Sequence, residues 1–370
     1  MGGDRLRVGV IFGGQSGEHE VSLASAASVL TAIDRGRYLP VPIGVAKDGR
    51  WLVGGDPLKA LADASALKLA LPHEVGEPRG SIKIEPPGGL PWGVSDQLGV
   101  VFPLIHGSFG EDGTLQGFLE FSNLPYVGAG VLASAVGMDK AMMKAVFRAR
   151  GLPVVDHLVL LRREWEKTPD AVLERLTREI GFPCFVKPSN SGSSVGISKV
   201  GGPVELPRAL DVAGRHDRKI VVERAVRGRE LEVAVLGNDD VEVSRPGEVI
   251  PLKEWYDYEA KYTEGLTRFV IPAEITSEEV LRLDALARYA FSAIDCAGMA
   301  RVDFFLENGR LLVNEINTIP GFTQLSAYPR LWEASGIPYP ELIHRLIQLA
   351  LERHAEKRGP GPGARGPANA

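Results

Sequence analysis

Residues 298–326 read GMARVDFFLENGRLLVNEINTIPGFTQLS, and we expect the rest of the chain to be organised around them. Two apolar runs, 300–306 and 311–316, flank a short connection that contains Asn308-Gly309. An Asn-Gly pair between two such runs is a strong short-range signal of a β-hairpin. The segment therefore predicts two antiparallel strands.

The two predicted strands carry polar side chains at alternating positions. Arg301 and Asp303 share one face of the first strand, because side chains along a strand alternate with a period of two. Glu315 and Asn317 share a face of the second strand for the same reason. Whether these two faces coincide depends on the connection between the strands.

Two connections are possible, and they place the side chains differently. A two-residue turn at Asn308-Gly309 would send Glu315 to the face opposite Asp303. A three-residue connection over 307–309, with a left-handed glycine in a bulge, pairs Asp303 with Val313 and keeps all four polar side chains together. We therefore expect the three-residue connection.

The four polar groups on one face would suit a metal ion. Mg²⁺ often takes one or two carboxylates and completes its coordination with substrate phosphates. The alternative is an edge hairpin whose polar face is simply solvated. These residues alone leave both interpretations open.

The composition is typical of a globular protein with more than one domain. At 370 residues the chain exceeds the size at which a single core keeps growing, so two or three domains are expected. Its formal net charge of −5 argues against nucleic acid or an anionic membrane as the main partner. The first residues contain no apolar signal segment, and two cysteines are too few for a disulfide framework. We expect a cytoplasmic enzyme.

The amino-terminal part predicts an open α/β sheet. An apolar strand at 6–12 runs into the glycine-rich turn 13–17 and then a helix, which is the opening of a Rossmann-like half-domain. The turn lacks the G-x-G-x-x-G spacing, so dinucleotide binding is poorly supported. Glu18 after this turn and His106 after the strand at 98–104 lie at carboxyl ends of strands, where such sheets bind ligands. Alternatively, the glutamate only complements the helix dipole.

A loop rich in serine and glycine, residues 187–196, connects two predicted strands. Lys187 at its start can supply a point charge for phosphate, while the small residues let backbone amides approach. Alternatively, it is an ordinary surface lysine. The loop also contains the G-x-S-x-G pattern of serine hydrolases at 192–196, but that pattern requires a strand-to-helix turn. Residues 195–200 are β-branched and apolar and predict a strand, so a hydrolase is not favoured.

Two glutamates and a long loop complete the candidate groups. Glu223 ends an apolar strand, and Glu230 follows beyond a glycine turn. One carboxylate could accept a hydrogen bond from an adenine amino group and the other from ribose hydroxyls; alternatively, both are solvated. Lys261 and Tyr262 lie on a polar and aromatic loop before the hairpin, where a lid is a possible interpretation.

Taken together, these motifs resemble the D-alanine–D-alanine ligases of the ATP-grasp superfamily over roughly residues 5–350. Seven motifs follow the order of that family: FGGQSGEHEVS at 12–22, HGSFGEDGT at 106–114, MDK at 138–140, KPSNSGSSVG at 187–196, YDYEAKY at 256–262, RVD at 301–303 and NEINTIPG at 314–321. Each motif alone is only suggestive, but seven in one order are highly specific.

The resemblance implies a mixed α/β (α+β) fold of ATP-grasp architecture with a Rossmann-like amino-terminal domain. It implies a substrate domain over 1–130, a central lid domain over 131–223 and a catalytic domain over 224–355. Residues 356–370 are expected to form a disordered tail, because they are rich in Gly, Pro and Ala. By the same resemblance, ATP lies between the central and carboxyl-terminal domains.

The resemblance also implies which residues bind ATP and metal. The nucleotide-binding residues would be Lys140, Lys187, Glu223, Arg224, Val226 and Glu230. The two lysines would contact the phosphates, Glu223 and Val226 would frame the adenine, and Glu230 would hold the ribose. Two Mg²⁺ ions, or Mn²⁺ in their place, would be held by Asp303, Glu315 and Asn317.

The remaining implied roles concern two D-alanine molecules. The catalytic and substrate-binding residues would be Glu18, His106, Ser193, Lys261, Tyr262, Arg301, Gly321, Ser326 and Ala327. Glu18 would hold the ammonium group of the first substrate, with Ser193 and Tyr262 linking it to the lid, and His106 would lie beside that substrate. Lys261, Ser326 and the Ala327 backbone would hold the second carboxylate. Arg301 and the Gly321 amide would stabilise the oxyanion.

The implied reaction is ATP-dependent formation of D-alanyl-D-alanine through a D-alanyl phosphate, for peptidoglycan precursor synthesis. The 256–262 loop keeps the dipeptide-ligase pattern, which favours D-alanine as the acceptor over D-lactate or D-serine. Two further alternatives are another ATP-grasp carboxylate–amine ligase and a non-catalytic nucleotide-binding module. A homodimer is expected from the family alone.

Overall fold

The computed structural model describes residues 5–67, 82–85, 97–192, 194–251 and 267–358. Within these ranges the strands, in chain order, are β1 Leu6–Gly13, β2 Tyr38–Val45, β3 Trp51–Val53, β4 Lys83–Glu85, β5 Val100–Pro103, β6 His157–Leu161, β7 Cys184–Pro188, β8 Ser198–Val200, β9 Lys219–Arg224, β10 Arg229–Gly237, β11 Glu242–Val243, β12 Gly247–Pro251, β13 Thr267–Val270, β14 Gly298–Glu307 and β15 Arg310–Asn317. The helices are α1 His19–Ala32, α2 Pro57–Ala64, α3 Thr114–Phe121, α4 Val131–Met138, α5 Lys140–Ala149, α6 Arg162–Lys167, α7 Pro169–Glu179, α8 Leu206–His216, α9 Ser277–Ala293, α10 Ala327–Ala334 and α11 Tyr339–Arg358.

The first sheet has the order β4-β3-β2-β1-β5. Its strand β1 pairs in parallel with both β2 and β5, whereas β3 and β4 add antiparallel strands at the other edge. The β1–turn–α1 unit is the predicted Rossmann-like opening. Because β1, β2 and β5 are parallel, the loops that follow β1 and β5 leave the sheet at the same edge.

The second and third sheets are antiparallel. The second has the order β6-β9-β7-β8, and the third has the order β13-β12-β10-β14-β15 with β11 also paired to β10. The serine- and glycine-rich loop joins β7 to β8. It therefore leads from strand to strand and not into a helix, in agreement with the argument against a serine hydrolase.

The predicted three-residue connection in the β14–β15 hairpin is wrong. Glu307 pairs with Arg310, which leaves a two-residue turn at Asn308-Gly309 with φ values of 50° and 74°. Positive φ at both turn positions is what two-residue hairpin turns of type I′ require. The right-handed twist of the flanking strands favours this turn over the longer connection.

A β-bulge brings the four polar side chains to one face of the hairpin. With the two-residue turn and a regular ladder, Glu315 would lie on the opposite face from Asp303. The pairing shifts between Phe304–Val313 and Asp303–Glu315, so that Asn314 is the extra residue. Beyond the bulge, Asp303 lies opposite Glu315, and Arg301 lies opposite Asn317 by the same register. The four polar side chains therefore share one face, although by a route that differs from the prediction.

Helices α10 and α11 fill the space between the first and third sheets. One buried cluster contains Phe12 of β1, Leu236 of β10, Phe322, Trp332 of α10 and Leu346 of α11. Burying large apolar side chains from both sheets in one core fixes the edge of the first sheet relative to the third.

Helices α4 and α5 pack on the third sheet. Met143 and Phe147 of α5 are buried in one cluster with Val313 of β15. These helices lie within the range 131–223 that the sequence assigns to the central domain, and that division stays a prediction. Met138 ends α4, and the side chain of Asp139 caps the amino terminus of α5.

The terminal helix is longer than expected. The sequence predicts a disordered tail over 356–370, but α11 continues to Arg358, so the prediction is wrong for residues 356–358. The composition of the tail does not show that this helix contacts the rest of the chain: Lys357 pairs with Glu120 of α3, and Arg353 donates to the Tyr126 carbonyl oxygen at 3.0 Å. The rest of the tail lies outside the described residues.

Across the ranges that the structure describes, no helix combines the length and the apolar character needed to cross a bilayer.

The hairpin turn makes a prediction about stability. Gly309→Ala should lower the free energy of unfolding by about 1 kcal/mol, because a Cβ disfavours the left-handed conformation. No atom lies within 4 Å of the added Cβ, so steric clash does not contribute. Urea unfolding followed by circular dichroism measures the change.

The matched control is Gly117→Ala, in the interior of α3, where an added Cβ also contacts nothing within 4 Å. There the same substitution should raise stability by about 1 kcal/mol, because alanine favours the helix. Equal effects at the two positions would contradict the left-handed turn.

Candidate functional site

A single cleft of about 1120 Å³ is lined by residues from all three sheets and their loops. Every predicted site residue that falls in the described ranges lines it. These residues are Glu18, His106, Lys140, Lys187, Glu223, Arg224, Val226, Glu230, Arg301, Asp303, Glu315, Asn317, Gly321, Ser326 and Ala327. Ser193, Lys261 and Tyr262 lie outside the described residues.

The polar face of the hairpin lines this cleft. Arg301 binds Asp303 through two hydrogen bonds, from Nε to Oδ1 and from Nη2 to Oδ2, each 2.7 Å long. The amide Nδ2 of Asn317 donates to Oδ2 of Asp303 at 3.0 Å. Hydrogen bonds thus join the three side chains on the bulged part of the hairpin.

A further carboxylate in the cleft escaped the sequence analysis. Glu232 of β10 lies opposite Asp303 in the ladder, and its Oε2 is 3.4 Å from Nε of Arg301. The guanidinium therefore lies between two acids. The sequence could have indicated Glu232, because it lies two residues after the predicted site residue Glu230 on one strand and therefore shares its face.

Lys140, at the start of helix α5, contacts Glu315 on strand β15 of the hairpin. Nζ of Lys140 lies 3.5 Å from Oε2 of Glu315 and donates to the Ser191 carbonyl oxygen at 2.9 Å. The start of this helix is anchored by Asp139, whose Oδ1 accepts from the Ser189 hydroxyl at 2.5 Å. Lys140 thus connects the serine- and glycine-rich loop with the hairpin.

The hairpin face has the donor set for a divalent cation that also binds phosphate. Asp303 and Glu315 lie directly opposite each other, with the Asn317 amide beside Asp303. In the described part of the chain, no cluster of three or more His, Cys, Asp or Glu side chains could hold a metal. Two carboxylates and one amide fit Mg²⁺ only if a ligand supplies further oxygens, as nucleotide phosphates do.

Glu223 is held between two lysines. Nζ of Lys187 lies 2.7 Å from its Oε2, and Nζ of Lys144 lies 3.1 Å from its Oε1. Burial alone would raise the pKa of Glu223, but the two ammonium groups outweigh burial and lower it from 4.5 to about 2. The carboxylate is therefore ionised at neutral pH although it is buried.

Lys144 was missed by the sequence analysis. It is only 1% exposed, and its ammonium group also donates to the Asn314 carbonyl oxygen at 3.1 Å. Burial lowers the pKa of Lys144, and the charge of Glu223 opposes that effect. The only signal in the sequence is its spacing of four from Lys140, which places both lysines on one face of α5.

Glu18 lies between two loops at the edge of the first sheet. It occupies the N-cap position of α1. A Cβ on Gly192 would lie 2.7 Å from its Oε2, and a Cβ on Gly107 would lie 2.8 Å away. The carboxylate therefore lies against the backbone of both loops, and Gly107, with a φ of 74°, also has a conformation that favours glycine.

His106 connects the first sheet to the turn after the hairpin. Its Nδ1 lies 3.2 Å from the Ile319 carbonyl oxygen, which can only accept, so Nδ1 carries a proton. The same nitrogen is 3.4 Å from Oε1 of Glu111, and Nε2 is 3.1 Å from the Ser25 hydroxyl. Burial would lower the pKa of His106, but the Glu111 carboxylate outweighs burial and raises it.

Gly321, Ser326 and Ala327 meet at the amino terminus of α10. Ser326 precedes the helix, and its hydroxyl oxygen accepts from the Thr323 amide at 3.1 Å. A Cβ on Gly321 would lie 3.1 Å from this hydroxyl oxygen. The free amides of the first helical turn make this point of the cleft suitable for a carboxylate.

Arg224 and Val226 lie at the far end of the cleft, next to the hairpin turn. Arg224 donates to both carboxylate oxygens of Glu307, at 3.1 and 2.7 Å. The Arg227 amide donates to the same carboxylate at 2.8 Å. Arg224 is thus a bridge between β9 and β14, and Val226 offers an apolar side chain to the cleft.

Comparison with protein-family models matches nearly the whole chain. A family model described as "D-ala D-ala ligase N-terminus" matches residues 7–129, and one described as "D-ala D-ala ligase C-terminus" matches residues 146–348.

Curated relatives and solved structures agree with these matches. The chain is 46% identical to the D-alanine–D-alanine ligase of Geobacillus kaustophilus over 361 residues, which are 96% of this chain and 97% of the relative. It is 48% identical to that of Heliobacterium modesticaldum over 355 residues, covering 95% and 96% of the two chains.

Among solved structures, the D-alanine–D-alanine ligase from Coxiella burnetii superposes with a TM-score of 0.82 at 38% identity, covering 96% of this chain and 97% of that one. The VanG D-Ala:D-Ser ligase from Enterococcus faecalis superposes with a TM-score of 0.78 at 32% identity, covering 94% and 100%. These likenesses confirm the predicted fold class.

The buried charge cluster predicts how stability depends on pH. Glu223→Gln should lower the free energy of unfolding at pH 7 by about 3 kcal/mol, because two lysines lose their buried counter-ion. The folded-state pKa of Glu223 is depressed, so its stabilisation exists above pH 4.5 and is lost as pH falls toward about 2. Urea unfolding at several pH values should show that the difference in free energy of unfolding between variant and wild type shrinks as pH falls from 4.5 toward about 2.

Glu174→Gln serves as the control, because Glu174 is largely exposed in an ion pair with Arg178 of the same helix. Its loss should change stability by less than about 0.5 kcal/mol at any of these pH values. A Glu223→Gln variant as stable as wild type at pH 7 would contradict the charge cluster.

Proposed function

The chain belongs to the D-alanine–D-alanine ligase family, and on that basis we propose that it joins two D-alanine molecules into D-alanyl-D-alanine while converting ATP to ADP and phosphate. The observation that carries this proposal is the cleft. Residues from all three sheets, separated widely in sequence, converge there with the charges that such a reaction needs. We further propose that the product is used in peptidoglycan precursor synthesis in the cytoplasm.

The first step activates a carboxylate. A carboxylate is a poor electrophile, so one of its oxygens attacks the γ-phosphorus of ATP, ADP leaves, and a D-alanyl phosphate forms. Two anions must approach each other, and cations are required where the charge develops. Lys140, Lys187 and Arg301 supply them from three sides of the cleft.

The metal ligands of the proposal are Asp303, Glu315 and Asn317. These side chains would hold one or two Mg²⁺ ions, or Mn²⁺ in their place, if the nucleotide supplies further oxygen ligands. The metal would neutralise charge on the transferred phosphoryl group. Arg301 contacts Asp303 and Lys140 contacts Glu315, so both acids already have a cationic partner in the cleft.

The nucleotide lies along the third sheet and the loop that precedes it. Glu223 accepts from the adenine amino group, with Val226 against the ring, and Arg224 holds the loop that carries Val226. Glu230, at the start of β10, accepts from the ribose hydroxyls. Lys140 and Lys187 face the phosphates from α5 and β7.

The first D-alanine lies at the edge of the first sheet. Glu18 holds its ammonium group, and Ser193 and Tyr262 extend this contact to the loops that close the cleft. His106 lies beside the substrate and is kept in place by its bonds to Ser25 and Ile319. Closure of these loops excludes water, which would otherwise hydrolyse the acyl phosphate.

The second D-alanine completes the reaction. Its amine attacks the acyl carbon, the tetrahedral intermediate collapses, and inorganic phosphate leaves as the peptide bond forms. Lys261, Ser326 and the Ala327 amide hold the carboxylate of this substrate at the amino terminus of α10. The oxyanion is stabilised by Arg301 and the Gly321 amide.

A second candidate uses a different acceptor. The VanG structure, described as a D-Ala:D-Ser ligase, shares the architecture of this chain. D-alanine is favoured because the D-alanine–D-alanine ligases above are more similar in sequence than VanG, at 46–48% against 32% identity. D-serine or D-lactate as acceptor remains the alternative, and we propose a homodimer as the working assembly.

Phosphate release with a panel of acceptors tests the proposed function. With ATP and Mg²⁺, D-alanine alone should support release, L-alanine in its place should give far slower release, and D-serine or D-lactate added to D-alanine should not raise the rate. Mass spectrometry of the product distinguishes the dipeptide from other condensation products. Equal rates with L-alanine and D-alanine would reject the assignment, and turnover only with D-serine or D-lactate would favour the alternative acceptor.

Glu315→Gln tests the proposed metal face. The change removes one charged oxygen ligand from a site with only two carboxylates, so turnover should fall by at least about 100-fold. Melting temperature should stay close to that of wild type, since Glu315 is only partly buried. Near-normal activity would remove Glu315 from the metal ligands. Glu352→Gln, on α11 far along the chain, should change neither property.

A further inference from the structure

Lys144 is a buried cation that no step above uses. Its side chain is 1% exposed, and it approaches Glu223 from the side away from the cleft, because the residues that line the cleft include Glu223 but not Lys144. Its ammonium group carries three donors. It forms an ion pair with Oε1 of Glu223 and donates a hydrogen bond to the Asn314 carbonyl oxygen, each at 3.1 Å.

The two lysines around Glu223 are not equivalent. Lys187 lines the cleft, so a bound nucleotide can draw its ammonium group toward the phosphates. Lys144 has no such freedom, because its side chain extends from α5 and is enclosed against β9 and β15. When Lys187 turns toward a phosphate, Lys144 remains as the cation that holds the Glu223 carboxylate charged and oriented.

A charged carboxylate distinguishes between purine bases. An ionised carboxylate can only accept hydrogen bonds, whereas a protonated carboxyl group can also donate one. A 6-aminopurine presents a donor at position 6, and a 6-oxopurine presents an acceptor there. A carboxylate fixed in its charged form therefore binds the first and repels the second.

We propose that Lys144 is a positioning residue that fixes Glu223 as an acceptor for the amino group of a 6-aminopurine and so sets the preference for ATP over a 6-oxopurine nucleotide. The inference rests on the proposed function in one respect, namely the placement of adenine at Glu223. Lys144 touches neither substrate nor metal in this arrangement.

Lys144 has a second contact that offers a different explanation. Its bond to the Asn314 carbonyl supports the bulge that aligns Asp303 with Glu315. If this support were its whole role, its loss would reduce turnover through the hairpin face and leave base preference unchanged. Base preference therefore separates a positioning role from a purely structural one.

The test compares Lys144→Met with wild type, using ATP and ITP as alternative substrates. ITP differs from ATP only in the base. The KM for ATP should rise at least about tenfold, as expected for weakening a hydrogen bond to a charged group, while kcat at saturating ATP changes much less. The ratio of kcat/KM for ATP to that for ITP should fall by about tenfold or more. An unchanged ratio would overturn the proposal.

Lys219→Met is the matched control. Lys219, at the start of β9, is a partly buried lysine that pairs with Asp139, the N-cap residue of α5, so its loss also removes a cation that contacts this helix. The variant should be less stable than wild type, but its ATP-to-ITP ratio should be unchanged. A fall of that ratio in the control as large as in Lys144→Met would show a general effect of destabilisation and overturn the proposal.

Calorimetric binding of ADP and IDP makes the test independent of turnover. The ratio of their Kd values should move toward one in Lys144→Met and also in Glu223→Gln, whose amide can donate to a 6-oxo group. If Glu223→Gln leaves this ratio unchanged, adenine does not lie at Glu223, and the inference fails even though the ligase activity stands. If wild type gives no dipeptide, the proposed function fails, and the ADP/IDP ratio still decides the inference.

A double variant keeps the proposal testable should Lys144→Met not fold. Lys144→Met/Glu223→Gln removes an ammonium group and a carboxylate together and leaves less uncompensated charge. Its ADP/IDP ratio should equal that of Glu223→Gln alone, because Lys144 acts only through the carboxylate. A further change of the ratio on removing Lys144 from the Glu223→Gln background would overturn the proposal.

Discussion

The hydrogen bond from Lys144 to the Asn314 carbonyl oxygen supports the β-bulge in β15, and the polar face of the candidate site depends on this bulge. A two-residue turn at Asn308-Gly309 fixes the strand register from one end, and a regular ladder would then place Glu315 away from Asp303. The extra residue in β15, Asn314, shifts the register by one, so that Glu315 lies opposite Asp303. A bulge leaves one residue outside the ladder, and its carbonyl needs a donor in a buried place, which α5 provides.

The same lysine joins that bulge to a network of compensated charges. The cleft and its surroundings contain the acids Glu223, Glu232, Asp303 and Glu315 and the cations Lys140, Lys144, Lys187 and Arg301. Burying like charges this close would be prohibitive without counter-ions. Each acid has a cation within 4 Å, so the site is assembled and charged before a nucleotide arrives. Phosphates and metal can then exchange with protein partners and need not create the arrangement.

Much of this site was predictable because local patterns carry it. The Asn-Gly pair indicated the hairpin, and period-two alternation placed Arg301 with Asp303 and Glu315 with Asn317. The connection was predicted wrongly because the position of a bulge depends on a partner from a distant helix. Lys144 was missed for a related reason: a lysine on an amphipathic helix normally faces solvent, and only the buried Glu223 carboxylate, far along the chain, makes burial tolerable. The end of α11 likewise contacts α3 and the loop after it, which the composition of the tail does not reveal.

The central claim is that the bulged hairpin and Glu223 mark the two ends of one nucleotide site. The most direct measurement is a crystal structure of this chain with ADP, Mg²⁺ and D-alanine. The expected result is a metal coordinated by oxygens of Asp303 and Glu315 at about 2.1 Å, with Asn317 in the same shell and the adenine amino group at Glu223. A nucleotide bound in the cleft with its metal held by phosphates and water alone, or with its base remote from Glu223, would contradict the claim.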